Sequence, residues 1–197
     1  MLTGLLHRLA AHPWVYDQIQ TIAGSNHVLE RMSRELTPFR PKVVVDIGGG
    51  TGTVRNLFPT DCRYVCLDLE LPKLKGFRVK TPTGMAVLGD ATSMPIVDGG
   101  TDMVICKSLT HHLTDSMLDR ALDESRRVLR SGGHMILLDA VLNKQRLAGR
   151  ILWKLDRGSF PRAEEDLRKR LEDRFKVIHW DKFAIYHEYV FGIGVRL

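Results

Sequence analysis

The sequence predicts an α/β fold, a doubly wound and mostly parallel sheet whose last strand runs antiparallel. Three observations predict it. Five short runs, Lys42 to Ile47, Tyr64 to Leu67, Met85 to Leu88, Met103 to Cys106 and Met135 to Leu138, are apolar almost throughout instead of alternating. Strands of that kind are buried on both faces, as in a parallel sheet. Helical patterns lie between some of the runs, and strand–helix alternation is the signature of parallel strands with helices on both sides. The chain has 197 residues, 44% hydrophobic and 26% charged, which suits one globular domain and excludes disordered, collagen-like and disulfide-stapled chains.

The elements follow in order. Leu2 to Leu36 reads as helix, broken near Ala11-His12-Pro13 and Ala23-Gly24-Ser25-Asn26. Ser25 or Asn26 is placed to cap a helix whose Val28, Leu29, Met32 and Leu36 form an apolar face. Pro38 and Pro41 then force a short extended link. Pro72, Gly76, Pro82 and Gly84 leave a short helix or none between the second and third runs. Thr114 caps a helix over Asp115 to Leu129 with Leu118, Leu122, Ser125 and Leu129 on one stripe, and Ser131-Gly132-Gly133 stops it. Asn143 to Arg174 reads as charged helix interrupted at Asp156 to Pro161. Phe175 to Trp180 and Ile185 to Val195 read as a closing antiparallel pair at the sheet edge, turning at Asp181-Lys182.

Charge and cysteines narrow the function classes. The net charge is +6, but from Arg162 to Arg174 the basic residues alternate with acids, which is the pattern of a solvated helix face. A nucleic-acid partner is therefore not expected; such a surface is one-sided and interleaved with aromatics. Cys62, Cys66 and Cys106 are odd in number and lack metal-ligand spacing, and His134, His179 and His187 form no metal set, so a reducing, cytoplasmic setting and no metal are expected. No apolar run reaches the roughly 18 residues of a membrane span. Leu2, Leu5, Leu6 and Leu9 with Trp14 make an amphipathic start that could meet a membrane surface; core packing explains the same leucines.

The chemistry sits in the glycine loop, Asp46-Ile47-Gly48-Gly49-Gly50-Thr51-Gly52. Glycines after a buried strand let the backbone turn sharply and approach a ligand at the carboxyl ends of the strands. The register is not that of G-x-G-x-x-G, since Thr53 holds the last place, and no P-loop Lys-Ser or Lys-Thr follows. The order Asp-x-Gly-x-Gly-x-Gly, then an acid ending the second run (Asp68), Gly89-Asp90-Ala91 after the third, Leu109-Thr110-His111-His112-Leu113 after the fourth and Arg126-Arg127-Val128-Leu129 with Ser131-Gly132-Gly133 before the fifth resembles the class I S-adenosylmethionine-dependent methyltransferases. The likeness covers Pro41 to Val141 and is closest to small-molecule enzymes related to those of quinone biosynthesis. Ser131 stands where proline is usual, and Thr110 where a bulkier residue is commoner.

That resemblance implies a Rossmann-like fold and S-adenosylmethionine as cofactor, with S-adenosylhomocysteine as product. It implies cofactor contacts at Asp46, Gly48, Gly49, Gly50 and Gly52, a ribose acceptor at Asp68, an adenine cover at Leu69, an adenine-amine acceptor at Asp90 beside Ala91, and the methionine part near Lys107, whose side chain was free to point to solvent. His111 and His112 are the acid–base candidates, since a histidine near neutral pH suits a hydroxyl acceptor; the alternative is that the pair closes a loop before the helix Asp115 to Leu129, with one ring packed inward. Residues 1–40 would form a helical lid, 41–141 the cofactor core, 142–174 a helical substrate cover and 175–197 the strand pair, with Tyr16, Trp153 and Arg157 facing a small apolar or aromatic acceptor. A cofactor-binding protein without methyl transfer, and an RNA- or lipid-directed methyltransferase, remain the alternatives.

Overall fold

The computed structural model describes residues 25–142, 160–185 and 187–197. Helix α1 (Ser25–Leu36) leads into β1 (Val43–Ile47), and the glycine loop continues through a single 3-10 turn, Arg55–Leu57, into β2 (Arg63–Asp68). Then come α2 (Leu71–Lys80), β3 (Met85–Leu88), β4 (Thr101–Lys107), a 3-10 turn at Thr110–His112, α3 (Asp115–Val128) and β5 (Leu129–Val141). Helix α4 (Glu164–Glu172) and the hairpin β6 (Lys176–Ala184) and β7 (Glu188–Val195) follow. The seven strands lie in the order β3-β2-β1-β4-β5-β7-β6. The pairs β1–β2, β1–β4, β2–β3 and β4–β5 are parallel, and β7 runs antiparallel to both β5 and β6.

The unbroken apolar runs are explained by two cores, one on each side. Val45, Ile47, Val65, Leu67, Val104, Cys106, Met135 and Leu137 face one way and pack under Leu118, Leu122 and Val128 of α3 and Leu167 and Leu171 of α4. Their neighbours Val44, Tyr64, Cys66, Met103, Ile105, Ile136 and Leu138 face the other way and meet Val28, Met32 and Leu36 of α1 and Leu74 and Phe77 of α2. Period-two side-chain alternation divides one run between two hydrophobic layers. All three cysteines are free and buried.

Several expectations are corrected. In the Asp68–Met85 link, of the two readings left open, the short helix is present as the ten-residue α2. Pro72 sits in its first turn, where no N–H is needed, so the proline starts the helix instead of preventing it. Helix α3 ends at Val128, and the chain passes at once into β5, with Leu129 already paired to Thr101. Ser131-Gly132-Gly133 therefore lies inside the strand, and the register shifts between Thr101 and Met103 to take up the irregularity. β6 runs on to Ala184 and β7 starts at Glu188, so the hairpin does not turn at Asp181-Lys182; these are strand residues paired with Phe191 and Val190. β3 is an edge strand with Met85 and Leu88 exposed, not a buried one. Arg162 is buried, not part of a solvated face. No helix of the described residues is long and apolar enough to cross a membrane.

Gly52 couples the loop to this packing. Its φ is +73°, and a Cβ there would lie 2.3 Å from Cδ2 of the buried Phe77. Gly52→Ala is expected to destabilise the protein by about 2–4 kcal/mol, from left-handed backbone strain plus overpacking. A urea midpoint unchanged from wild type would refute it.

Candidate active site

The functional residues converge at the carboxyl ends of β1, β2 and β4. β1 delivers Asp46 and the loop behind it. Gly49 donates to Leu67 O (3.1 Å), Gly50 to Asp68 Oδ2 (2.9 Å) and Gly52 to Gly49 O (2.8 Å), so β2 holds the loop closed. Gly48 has φ +64°, and a Cβ there would come within 2.8 Å of Leu109 Cδ1. The turn after β4 is thus packed directly against the loop.

Asp46 is buried and accepts a hydrogen bond from the Tyr64 hydroxyl. Burial pushes its carboxyl up to about 7; the Tyr64 hydrogen bond and Lys107 oppose the rise and Asp68 adds to it. Asp68 is also buried, with Oδ1 accepting from the Glu70 amide at 2.8 Å. Each of its oxygens has one backbone donor, and a carboxylate has about four lone-pair sites, so acceptor capacity is left over. Leu69 and Leu88, beside it, are 63% and 58% exposed. Asp90 Oδ1 accepts from the Thr92 amide at 2.8 Å in a tight turn, and Ala91 packs into the core. Lys107 does not point away from the protein: its side chain lines a small cavity with Asp46, Gly48, Gly49, Thr53, Val54 and Ser108.

The turn beside the loop carries the histidines. His111 is buried and His112 exposed, their rings 4.2 Å apart. His111 Nδ1 lies 2.6 Å from Asp139 Oδ1. Asp139, in β5 and fully buried, also accepts from the Thr110 amide and Thr110 Oγ1 at 2.6 Å each and from the Ala140 amide at 2.8 Å. Burial alone would raise its carboxyl, but the charge and hydrogen bond of His111 with those of Thr110 and Ala140 hold it below the usual carboxylate range. An ionised Asp139 fixes the Nδ1–H tautomer and leaves Nε2 as the basic nitrogen. Arg162 clamps the far side of the turn, donating to Thr110 O at 2.6 Å and Leu113 O at 2.7 Å, while Phe160 donates to His111 O at 3.0 Å.

Asp139 and Arg162 were not among the residues picked from sequence. The one available signal was an acid within the apolar stretch Met135 to Val141. Tyr16, Trp153 and Arg157 lie outside the described residues.

A family model described as a methyltransferase domain matches residues 45–137, from β1 into β5. Over those residues, just under half of its length, the chain matches the class I S-adenosylmethionine-dependent methyltransferases. Within that family, it is 34% identical over 120 residues to the malonyl-acyl-carrier-protein O-methyltransferase of Methylococcus capsulatus, covering 56% of this chain and 42% of the relative. It is 28% identical over 114 residues to the demethylmenaquinone methyltransferase of Bacteroides fragilis, covering 53% and 45%. The methyltransferase fold is shared with the PH0226 protein of Pyrococcus horikoshii at a TM-score of 0.73 and 18% identity, over 90% of this chain and 92% of that one. The chain spans about half the length of the curated relatives it matches.

The residues present fit the family's cofactor. Buried carboxylates at the tips of β1 and β2 favour a ligand bearing cationic groups and hydroxyls, and the exposed Leu69 and Leu88 offer an apolar face for a ring.

Proposed function

We propose that the chain transfers the methyl group of S-adenosylmethionine to a hydroxyl oxygen of a small, apolar or aromatic acceptor, with His111 as general base. The observation that carries the reading is the buried His111–Asp139 pair, held at 2.6 Å on a turn packed against the glycine loop. Such a pair has a use when the acceptor must lose a proton; an acceptor already nucleophilic needs only alignment. The O-methyltransferase among the relatives is consistent with an oxygen acceptor.

In this reading Asp68 accepts the ribose hydroxyls, Leu69 and Leu88 cover the adenine, Asp90 with Ala91 receives its amino edge, and Asp46 with Gly48 to Gly52 frames the amino-acid end. The cofactor supplies an electrophilic methyl group on a sulfonium that leaves as a thioether. The chain's part is to orient the acceptor oxygen and take its proton on His111 Nε2, while Asp139 steadies the imidazolium that results. Thr110 and Arg162 hold the turn so that the imidazole needs no reorganisation.

The deciding experiment is the melting temperature with S-adenosylhomocysteine, with NADH and ATP as controls. At about 100 times its Kd the product adds roughly 2.7 kcal/mol to the folded state, a rise of several degrees. The rise is expected with that ligand alone and is lost in Asp68→Ala. A rise with NADH instead, or none, would overturn the reading.

A further inference from the structure

We propose that the groove between the end of α1 and the 3-10 turn after the glycine loop is a second binding site, for a small organic anion with an apolar body, an aryl or alkyl carboxylate. Through that turn the site is coupled to the glycine loop. The groove stands whether or not the cofactor reading above does; only the coupling draws on it.

The groove exists because the crossover from β1 to β2 is slight. A parallel crossover usually carries a full helix. Here it carries the 3-10 turn Arg55–Leu57, with Phe58 and Pro59 directly after it. Three residues fill less space than a helix, and the remainder lies open against the last turn of α1. That space is about 390 Å³, the size of a small-molecule site. Its floor is apolar. Leu36 and Phe58 are buried in the core, and Phe39 and Leu57 pack against it partly buried. His134 meets the Phe39 ring edge-on at 4.6 Å and holds it in place.

The rim is basic. No acid lines the groove; Asp61, two residues past Pro59, is not among its walls. Arg40 lines it, and its Nη1 donates to Thr37 O and Phe39 O. Among the described residues these carbonyls are its side-chain partners. Nε and Nη2 stay open, and that side of a guanidinium takes a carboxylate through two parallel bonds. Arg55 adds a second positive charge without a carboxylate beside it. Its guanidinium donates to the carbonyls of Phe58, Pro59 and Thr60. Elsewhere in the fold arginines meet acids: Arg127 has Glu124 and Asp98, Arg162 has Asp115 and Arg170 has Asp119.

These features select the ligand. An apolar floor under an open guanidinium suits rings or methylenes that end in one anion. A cation would be repelled by Arg40 and Arg55. The lining backbone N–H groups are already bonded, Phe39 to Leu36 O and Leu57 to Val54 O at 3.0 Å each and Phe58 to Arg55 O at 3.2 Å. A peptide therefore finds no strand to extend. A nucleic-acid strand needs several phosphate contacts, and the groove offers one guanidinium.

The turn joins the groove to the loop. Gly52 donates to Gly49 O at 2.8 Å, Arg55 to Gly52 O at 3.1 Å and Phe58 to Arg55 O at 3.2 Å, an unbroken succession. Val54 lines the cavity beside the glycine loop, and Asn56 and Leu57 line the groove. A ligand seated against Leu57 acts on the loop through a single turn, and by linkage the effect is mutual.

The test is calorimetric titration with naphthalene-2-carboxylate and its neutral isostere naphthalene-2-carboxamide, on wild type, Arg40→Gln and Leu57→Glu. Wild type is expected to bind the carboxylate with a Kd below about 1 mM, and the amide about tenfold more weakly. Arg40→Gln changes an exposed residue, and its melting temperature checks the fold. It is expected to lose about tenfold on the carboxylate, the scale of a charged hydrogen bond, and almost nothing on the amide. Leu57→Glu, which sets an anion in the groove, is expected to lose the carboxylate altogether. Saturating S-adenosylhomocysteine is expected to shift the carboxylate Kd by about fivefold to a new plateau, and the carboxylate to shift the Kd of S-adenosylhomocysteine by the same factor. No binding of the carboxylate to wild type, equal binding of the two isosteres, or equal losses of both in Arg40→Gln would overturn the proposal. A carboxylate Kd that keeps rising as S-adenosylhomocysteine is added would place it in the cofactor site and overturn the proposal too. A Kd that does not move would overturn the coupling alone. Failure of S-adenosylhomocysteine to bind would overturn the cofactor reading and leave the groove standing.

Discussion

Asp139→Ala is expected to lose several kcal/mol of stability and all base-assisted turnover, and Asp139→Asn to keep the fold while losing most of the turnover. Asp139 is fully buried and receives hydrogen bonds from the Thr110 amide, the Thr110 hydroxyl, the Ala140 amide and His111 Nδ1. Alanine leaves these donors without an acceptor. Each buried unsatisfied group costs about 1–3 kcal/mol, so even partial relaxation leaves a deficit of about 3–5 kcal/mol. That is a large fraction of the ~5–15 kcal/mol by which domains are stable. Asparagine keeps one carbonyl oxygen but turns an NH2 toward one set of donors and removes the negative charge behind the imidazole. Turnover with a hydroxyl acceptor should then fall by about 10²–10⁴, the usual worth of a positioned base, with the Kd for S-adenosylhomocysteine unchanged. Urea midpoints and kcat against Kd separate the two effects. An alanine variant as stable as wild type, or an asparagine variant of full kcat, would show that the pair neither holds the turn nor serves the reaction.

Stability is expected to decline as the pH rises from about 4 to 7, through Asp46. Its carboxyl titrates at about 7 in the fold and near the ordinary 3.8 when unfolded. Between those values the folded state holds a proton that the unfolded state has released, so raising the pH favours unfolding. A shift of this size corresponds to ~4 kcal/mol. Asp139, Asp102 and Glu124 are shifted the other way, so their contributions appear as the pH rises through the ordinary carboxylate range; His134, lowered by burial, adds stability as the pH rises toward 6.5 and opposes the Asp46 slope, so the Asp46 contribution is read as the difference between wild type and Asp46→Asn. Asp46→Asn cannot ionise and should be flatter than wild type across the window. Melting temperatures of both proteins from pH 4.5 to 8 check this, with parallel curves as the contrary result. A cationic group beside Asp46 should flatten the wild-type curve as well.

The strands were legible because burial on both faces leaves a mark that needs no partner: Val43, Val44 and Val45 are apolar whichever way they point. Helix α3 was legible through Thr114, whose hydroxyl accepts from Met117 N at 3.3 Å. Helix α2 was harder to read, since Pro72 signals a break unless its place in the first turn is known. The hairpin turn was misplaced because Asp181 and Lys182 look like turn residues. On an edge strand their charges find partners instead, Asp181 with Arg31 and Lys182 with Glu164 and Glu188. In the site, the glycine loop and the acids ending the strands are local signals. Asp139 and Arg162 are not, because each acquires its part from contacts with a turn 28 and 52 positions away.

The strand order also sets a sequence of assembly. β6 and β7 are joined by a tight connection, and α3 runs straight into β5, so these pieces can form while most of the chain is still open. β1 has no such neighbour. It pairs with β2 only after the loop and its 3-10 turn have formed, and with β4 only after everything from Gly48 to Gly100 has been brought round. Closing longer stretches of chain is entropically dearer and slower. The glycine loop and the histidine turn meet across that last closure, so the ligand-binding face would be completed late, after the hairpin and the α3–β5 unit have formed.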